Sequence, residues 1–377
     1  MSTTATAPVA HPPAAAGSGP GRLRYPRLSA AFAAVAGLLV TALGAGSAIR
    51  YLTKTGLTWT GVLGLFTLIA GVTLLAYAWL VYWRVSHGWQ RLWFIPVVFV
   101  ALLTMFSVAQ GTMLAWAPRN SLGATTPAAD GLTFNNVTFR TSDGVRMSAW
   151  LIPSTNHAAV VTMPGAGSTR TATLAQATVL AQHGYGVLMV DPRGQGQSGG
   201  GAMDAGWYGD RDVTAAVRFL RHQPGIDPNR IGVLGLSMGG EEAIGAAASD
   251  HGIRAVVAEG ATHRTAADKA GYLPGGVAGA IQRGMDWLTY GTTAILSPAP
   301  EPDSLYSAIA RANSTQFLLI AAGNGIDEPE ATAYLHSAVP SRVHTWTVRG
   351  ASHVHGLATS PAEWTSRVTT FLDLALG

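Results

Sequence analysis

Ser237 lies at the centre of Gly235-Leu236-Ser237-Met238-Gly239, a stretch whose residue types and spacing suit nucleophilic catalysis. An apolar run precedes this stretch, and a helical pattern over 241–248 follows it. The flanking glycines permit a sharp turn between strand and helix, which lifts the Ser hydroxyl above the sheet edge. The N–H of Met238 then begins the helix and can face a developing oxyanion. The stretch therefore predicts a serine nucleophile at Ser237.

A second stretch, Gly196-Gln197-Ser198-Gly199-Gly200, matches the same pattern in this chain of 45 glycines. Ser198 lies well beyond the preceding strand pattern, among Gly and Gln, and no helical pattern begins at it. The strand–turn–helix context therefore favours Ser237 over Ser198.

A general base is expected late in the chain, directly after a strand. His353 follows the strand pattern 343–348 and is predicted to take the Ser237 proton. His355, two residues further on, is the competing candidate.

The acid that orients the base is expected between the nucleophile and the base in chain order. The segment 324–330 follows the strand pattern 316–321, and we predict Asp327, because a short carboxylate just past a strand can hold the imidazole tautomer. Glu328 is the alternative acid, and Glu259 is a more distant one. Asp327 also fits a purely structural role, with Glu330, as a helix cap.

Two Gly-rich loops follow the first two parallel strand patterns. In Pro164-Gly165-Ala166-Gly167, we expect the N–H of Ala166 to be the second oxyanion donor, which is compatible with an ordinary strand-to-helix turn. The loop 191–198 fits neither a dinucleotide fingerprint nor a P-loop, so we interpret it as an ordered loop held by Asp191 and Arg193.

The elements that must position these residues alternate between strand and helix. A hairpin pattern over 133–141 and 145–152 precedes strand patterns at 158–163, 186–190, 231–234, 255–258, 316–321 and 343–348. The alternation predicts an α/β domain with a mostly parallel, doubly wound sheet covered by helices on both faces. It breaks off over about 262–313, where Val277, Ile281, Met285 and Leu288 have helical spacing. We expect this insertion to cap the site, although the stripe equally fits packing on the sheet.

Charge is divided unevenly along the chain. No Asp or Glu occurs before Asp130 whereas eight Lys or Arg do, so the net charge of +4 combines +8 before residue 130 with −4 after it. The basic part flanks apolar runs, so the sequence argues against a nucleic-acid partner. The chain has no cysteine, which excludes disulfides, a thiolate nucleophile and Cys-based metal sites. We expect neither a metal nor a cofactor.

The uncharged stretches 28–49, 55–83 and 92–118 are each long enough to cross a bilayer, and Trp residues lie near their ends. They predict a three-helix transmembrane anchor over 28–118, after a disordered basic tail (1–27) and before a linker (119–131) and a hydrolase-sized domain (132–377). Buried helices of a soluble protein are the alternative. The Lys/Arg bias predicts a cytoplasmic N-terminus, and hence a multi-pass cell-membrane protein with an extracytoplasmic domain.

Residues 137–376 resemble the α/β-hydrolase superfamily, near the membrane-tethered bacterial serine-aminopeptidase, dienelactone-hydrolase and prolyl-oligopeptidase-like branches. The resemblance rests on four segments: 141–144 (TSDG), 191–196 (DPRGQG), 235–240 (GLSMGG) and 350–353 (GASH). The chain departs from the pattern at Pro164, where relatives often have His, and in an acid loop without Gly-x-x-Asp.

The resemblance implies an α/β-hydrolase fold with a helical cap and a membrane-anchored serine hydrolase, which cleaves an ester, thioester or amide of a small molecule or peptide through an acyl-enzyme. In this scheme Ser237 attacks and His353 shuttles the proton. Asp327 or Glu328 orients the base, and Met238 and Ala166 stabilise the oxyanion. The alternative is a catalytically inactive membrane protein that keeps the fold as a binding or assembly module.

Overall fold

The structure, a computed structural model, describes residues 26–377. The predicted disordered tail therefore lies outside the described residues except for its last two positions, which are already helical. Three helices come first: α1 (Pro26–Thr55), α2 (Trp59–Val85) and α3 (Phe94–Ala115), with a short 3-10 segment, Gly88–Trp93, before the third. All three are long and apolar enough to cross a membrane.

Small residues allow α1 and α2 to pack closely. A Cβ on Gly44 would collide with the backbone of Leu68, and one on Gly71 would collide with Thr41. Because backbones approach this closely only where side chains are small, this packing is of the kind found between helices in lipid.

A mostly parallel sheet of eight strands forms the second part of the described chain. Its order is β1-β2-β4-β3-β5-β6-β7-β8, antiparallel at the β1/β2 and β2/β4 pairs and parallel elsewhere. The strands are β1 (Asn135–Arg140), β2 (Arg146–Ile152), β3 (Ala159–Met163), β4 (Gly186–Val190), β5 (Ile231–Leu236), β6 (Ala255–Glu259), β7 (Gln316–Ala322) and β8 (Val343–Val348). The expected hairpin and all six expected parallel-type strands are present, with ends shifted by two residues at most.

Helices cover both faces of this sheet. They are α4 (Leu174–Gln182), α5 (Gly209–Leu220), α6 (Met238–Ala247), α7 (Ala266–Tyr272), α8 (Gly276–Leu296), α9 (Leu305–Arg311), α10 (Glu328–His336), α11 (Gly356–Thr359) and α12 (Pro361–Leu376). One apolar core lies between the sheet and α5, α6 and α9, and a second lies between the opposite face and α4 and α12. The strands are apolar at nearly every position because parallel strands in such a fold are buried on both faces.

The segment between β6 and β7 contains α7, α8 and α9. Its expected apolar stripe does not pack on the sheet: Val277 and Ile281 are exposed, and Met285 and Leu288 are only partly buried. Instead, α8 packs along α3 of the N-terminal helices. The interpretation of the stripe as sheet core is therefore wrong, because the sequence does not reveal that α3 is the partner.

The predicted linker begins with two residues that are bound to the sheet domain. The Arg119 guanidinium donates to the backbone oxygens of Gly196 and Ser198, at 3.1 and 2.8 Å. Asn120 N–H donates to Gln195 Oε1 at 2.7 Å. These bonds hold the end of the N-terminal helices beside the loops at the carboxyl edge of the sheet.

Candidate active site

Ser237 occupies a strained turn between β5 and α6. Its backbone has φ 52° and ψ −123°, a conformation that residues with side chains rarely adopt. A Cβ on Gly235 would collide with Gly239 O, and a Cβ on Gly239 would collide with Met163 O. The predicted tight turn is present, and both glycines are required by space as well as by conformation.

His353 lies in the loop that follows β8. Its Nε2 is 2.9 Å from Ser237 Oγ, although the two residues are 116 positions apart in the chain. Parallel strands β5, β7 and β8 all end at the same edge of the sheet, so the loops after them meet there. The structure therefore brings the expected nucleophile and base together.

Glu328, the first residue of α10, completes a chain of hydrogen-bonded groups. Its Oε1 is 2.7 Å from His353 Nδ1, and its Oε2 accepts the N–H of Ala322 at 2.7 Å. The residue is only 2% exposed. The second bond fixes the carboxylate, and because an ionised carboxylate only accepts, His353 carries its proton on Nδ1 and presents Nε2 to Ser237.

Asp327 does not orient His353, so the first-choice acid is corrected to the alternative, Glu328. Asp327 has φ 62°, in the left-handed region, and its carboxylate lies 3.7 Å from Lys269 Nζ. The turn at this residue directs its side chain away from the imidazole, whereas the longer Glu328 reaches back from the first helical turn. Asp327 does stand at the N-cap position of α10, although its side chain makes no capping hydrogen bond.

The remaining candidates have structural roles. The Nδ1 of His355 contacts the carbonyl of His353. Glu259 accepts from Gly356 N–H at 2.7 Å and from Trp364 Nε1 at 2.9 Å. The Ser198 hydroxyl donates to Asp191 O and accepts from Ser148 N–H, which identifies it as a buried loop residue.

The two expected oxyanion donors lie on either side of the turn. Met238 is the first residue of α6, so its N–H is at the positive end of the helix dipole. The loop with Ala166 passes beside the turn, since a Cβ on Gly165 would lie 3.3 Å from Ser237 Cβ. Pro164, in place of a donor side chain, leaves the backbone amides as the available groups in this loop.

The loop 191–198 is held as predicted. Asp191 accepts the N–H groups of Arg170 and Gln197, at 3.0 and 2.8 Å. Arg193 forms ion pairs with Asp143 and Asp212, each at 2.7 Å.

Hydrogen bonding and burial shift the pKa values of several titratable groups in this region. The hydrogen bond that His353 Nδ1 donates to Glu328 raises the pKa of His353, in opposition to partial desolvation. Burial raises the pKa of Glu242 well above its usual range, and burial lowers the pKa of His263 to about 3.

Glu241 accepts the N–H groups of Thr262 and His263, both at 3.2 Å, and so joins α6 to the insertion.

Sequence reasoning missed the contribution of the N-terminal helices to this region. Lys54 and Arg50, near the end of α1, lie next to Gly167 in the Ala166 loop. The Arg50 guanidinium also forms an ion pair with Asp204 of the sheet domain and donates to Met113 O at 3.0 Å. Basic residues at the end of an apolar stretch are typical of a membrane boundary, so the sequence carried no signal for this contact.

Comparison with known proteins gives matches over the sheet domain. A family model described as X-Pro dipeptidyl-peptidase (S15 family) matches residues 143–366. A thiohydrolase (aneE) of Aspergillus aculeatus is 36% identical over 130 residues, which are 33% of this chain and 41% of that protein. A polyketide transferase (grgF) of Penicillium sp. is 31% identical over 135 residues, 34% of this chain and 46% of that protein. The chain spans about half the length of the curated relatives it matches.

A solved esterase of Pyrococcus furiosus superposes with a TM-score of 0.58 at 26% identity. The superposition covers 70% of this chain and 99% of the esterase. The part of this chain that the superposition does not cover is about as long as the three N-terminal helices with their flanking segments.

Proposed function

Since this chain belongs to the X-Pro dipeptidyl-peptidase (S15) family, we propose that it is a serine hydrolase that cleaves an ester, thioester or amide bond through an acyl-enzyme. The observation that carries the proposal is the continuous hydrogen-bonded chain from Ser237 through His353 to Glu328. The names of two matched proteins, an esterase and a thiohydrolase, describe hydrolysis and so support the proposal.

The proposed reaction begins when Ser237 Oγ attacks the acyl carbon and His353 Nε2 takes the hydroxyl proton. The imidazolium that forms is stabilised by the Glu328 carboxylate, and the oxyanion is stabilised by the N–H groups of Met238 and Ala166. His353 then gives its proton to the leaving group. A water molecule, deprotonated by the same imidazole, releases the acid and regenerates Ser237.

The family description alone does not fix the bond that is cleaved, because one fold hosts many acyl-transfer reactions. The intact chain of three catalytic groups supports an enzyme over an inactive binding module, which would not need an oriented base at a strained serine.

Replacing Ser237 with Ala tests the proposal. We expect the purified full-length protein to react with a fluorophosphonate probe and to hydrolyse short p-nitrophenyl esters. The S237A variant should lose labelling and at least about 10⁴-fold in kcat. The matched control is S198A, which removes the other Gly-x-Ser-x-Gly hydroxyl and should still be labelled. Equal labelling of S237A and the unaltered protein would contradict the assignment.

We further propose that α1, α2 and α3 span the cell membrane and place the sheet domain on the extracytoplasmic side. Their length and hydropathy, and the excess of Arg at the N-terminal side of α1 and between α2 and α3, support this orientation. Alkaline phosphatase and green fluorescent protein fusions at residue 377 would test it. Activity of the phosphatase fusion supports the orientation, and fluorescence of the other fusion contradicts it.

A further inference from the structure

Helix α8 is polar where it is buried and apolar where it is exposed. The exposed apolar side chains are those of Val277 (78% exposed), Trp287 (73%), Ile295 (85%) and Ile281. The buried side chains on the opposite face are those of Asp286, Tyr290 and Thr293. A helix at a water-facing surface has the reverse arrangement, so the outer face of α8 suits hydrocarbon rather than water.

The partner of α8 is a helix that can cross a membrane. The hydroxyls of Thr289 and Thr293 donate to the backbone oxygens of Ser107 and Gly111 in α3, both at 3.2 Å. A Cβ on Gly111 would collide with Thr289 O. Small residues at a helix interface and hydroxyl bonds between helices are typical of packing inside a bilayer.

The contact between α8 and α3 lies within the length of α3, before the C-terminal end of that helix. Trp93 and Trp116 flank this helix, as aromatic residues do at the two surfaces of a membrane. Ser107 is nine residues before Trp116, which corresponds to about 13 Å along the helix axis. Because the hydrocarbon core is about 30 Å thick, a membrane surface at Trp116 would place this contact inside one leaflet.

The inner face of α8 leads toward the reacting serine. Tyr290 packs in one apolar cluster with Leu114 of α3 and with Met203 and Trp207. Met203 also lines a cavity with Met238, the residue next to Ser237. The apolar cluster between α8 and α3 therefore reaches Met203, which lines the same cavity as Met238 together with charged side chains such as Arg193 and Glu242.

We propose that α8 inserts its outer face into the bilayer leaflet on the domain's side, and that the substrate of Ser237 is an acylated amphiphile taken from that leaflet. The substrate part rests on the function proposed above. In the reaction, the bond from the acyl carbon to the head-group oxygen or nitrogen breaks. The head group leaves with the proton from His353, and water releases the fatty acid.

Depth measurement tests the insertion without any activity. The chain has no cysteine, so a single nitroxide label can be placed at I281C or I295C in the full-length protein in phosphatidylcholine vesicles. The control is L374C, an exposed apolar position on α12. The nearby carbonyl of Leu376 accepts a hydrogen bond from Arg230, which directly precedes β5, so this end of α12 lies at the sheet edge opposite Ser237. We expect labels at 281 and 295 to collide more with oxygen than with a water-soluble nickel chelate, and the label at 374 to show the reverse. Equal chelate accessibility at all three positions would overturn the insertion.

Turnover tests the substrate class. We expect I281K and I295K to reduce hydrolysis of 4-methylumbelliferyl oleate in phosphatidylcholine vesicles by about tenfold or more, since a charge is costly in hydrocarbon. Hydrolysis of p-nitrophenyl acetate in water should stay within about twofold, and L374K should change neither rate. Equal loss on both esters, or no loss on either, would overturn the substrate proposal. No turnover of either ester by the unaltered protein contradicts the proposed function instead, and the label measurement then decides the insertion alone.

Discussion

Glu328 Oε1 lies 2.7 Å from His353 Nδ1, although the carboxylate next to it in the chain, Asp327, faces Lys269. The bond to Ala322 N–H holds the other oxygen of Glu328 in place, so the carboxylate has one orientation. A base that depends on a single fixed partner should respond strongly to any change in that partner's charge.

Replacing Glu328 with Gln is expected to lower kcat by about 10³–10⁴-fold, because the amide no longer favours the tautomer that accepts the serine proton. The profile of kcat/KM against pH should shift as well. Glu328 raises the pKa of His353, and activity requires neutral His353, so activity falls as pH drops through that raised pKa. Without the charge the pKa falls, and the acidic limb moves to lower pH. D327N is the control, and it should retain both the kcat of the unaltered protein and the position of the acidic limb.

Replacing Glu259 with Gln separates catalysis from packing. Both oxygens of Glu259 accept buried N–H groups, from Gly356 and Trp364, and an amide nitrogen in place of one oxygen would face a donor. We expect a loss of about 1–3 kcal/mol in the free energy of unfolding. The acidic limb of the pH profile should move far less than in E328Q. A shift as large as that of E328Q would mean that Glu259 also sets the charge of His353.

Replacing Gly239 with Ala is expected to lower the free energy of unfolding by about 3 kcal/mol and to remove activity, since the added methyl group would collide with Met163 O beside Ser237. G291A, in α8, is the matched control because no heavy atom lies within 4 Å of the added Cβ. It should be neutral or stabilising by up to about 1 kcal/mol. Thermal unfolding in detergent and ester turnover measure the two effects, and equal behaviour of the variants would contradict the steric account.

Replacing Glu242 with Gln is expected to stabilise the protein more at pH 8 than at pH 5. Burial raises the pKa of Glu242, and its Oε2 has no hydrogen-bond partner among the described residues. The folded state therefore keeps a proton that the unfolded state loses above its ordinary pKa, so this group's contribution to stability falls as pH rises. The amide of the E242Q variant does not titrate, so the variant does not lose this contribution to stability as pH rises. Identical changes in the unfolding midpoint at both pH values would show that Glu242 is ionised in the folded protein.

The proposed nucleophile and base follow from local patterns, whereas the proposed acid does not. Ser237 and His353 each follow an apolar strand directly, and parallel strands gather such loops at one edge, so their meeting could be predicted. Asp327 and Glu328 are adjacent, and only the left-handed backbone at Asp327 decides which carboxylate reaches the imidazole. The resemblance to α/β-hydrolases is confirmed by the family match and the fold.

The contact of α8 with α3 could not be predicted, because Thr289 and Ser107 are 182 residues apart and no periodicity links them. The apolar stripe of α8 was visible in the sequence, but hydrophobic spacing alone does not distinguish a face that packs on protein from one that faces lipid. The polar residues on the opposite, buried face make that distinction, and burial is known only from the fold.

The ion pair between Arg50 and Asp204 makes the first helix a structural component of the sheet domain. Asp204 is almost fully buried, and its Oδ1 already lacks a hydrogen-bond partner among residues 26–377. A recombinant fragment that starts after residue 118 would leave this carboxylate without its cation, and it would also expose the surfaces that α3 covers. Deletion of the helices is therefore not a neutral truncation, and D204N would remove only the uncompensated charge from such a fragment.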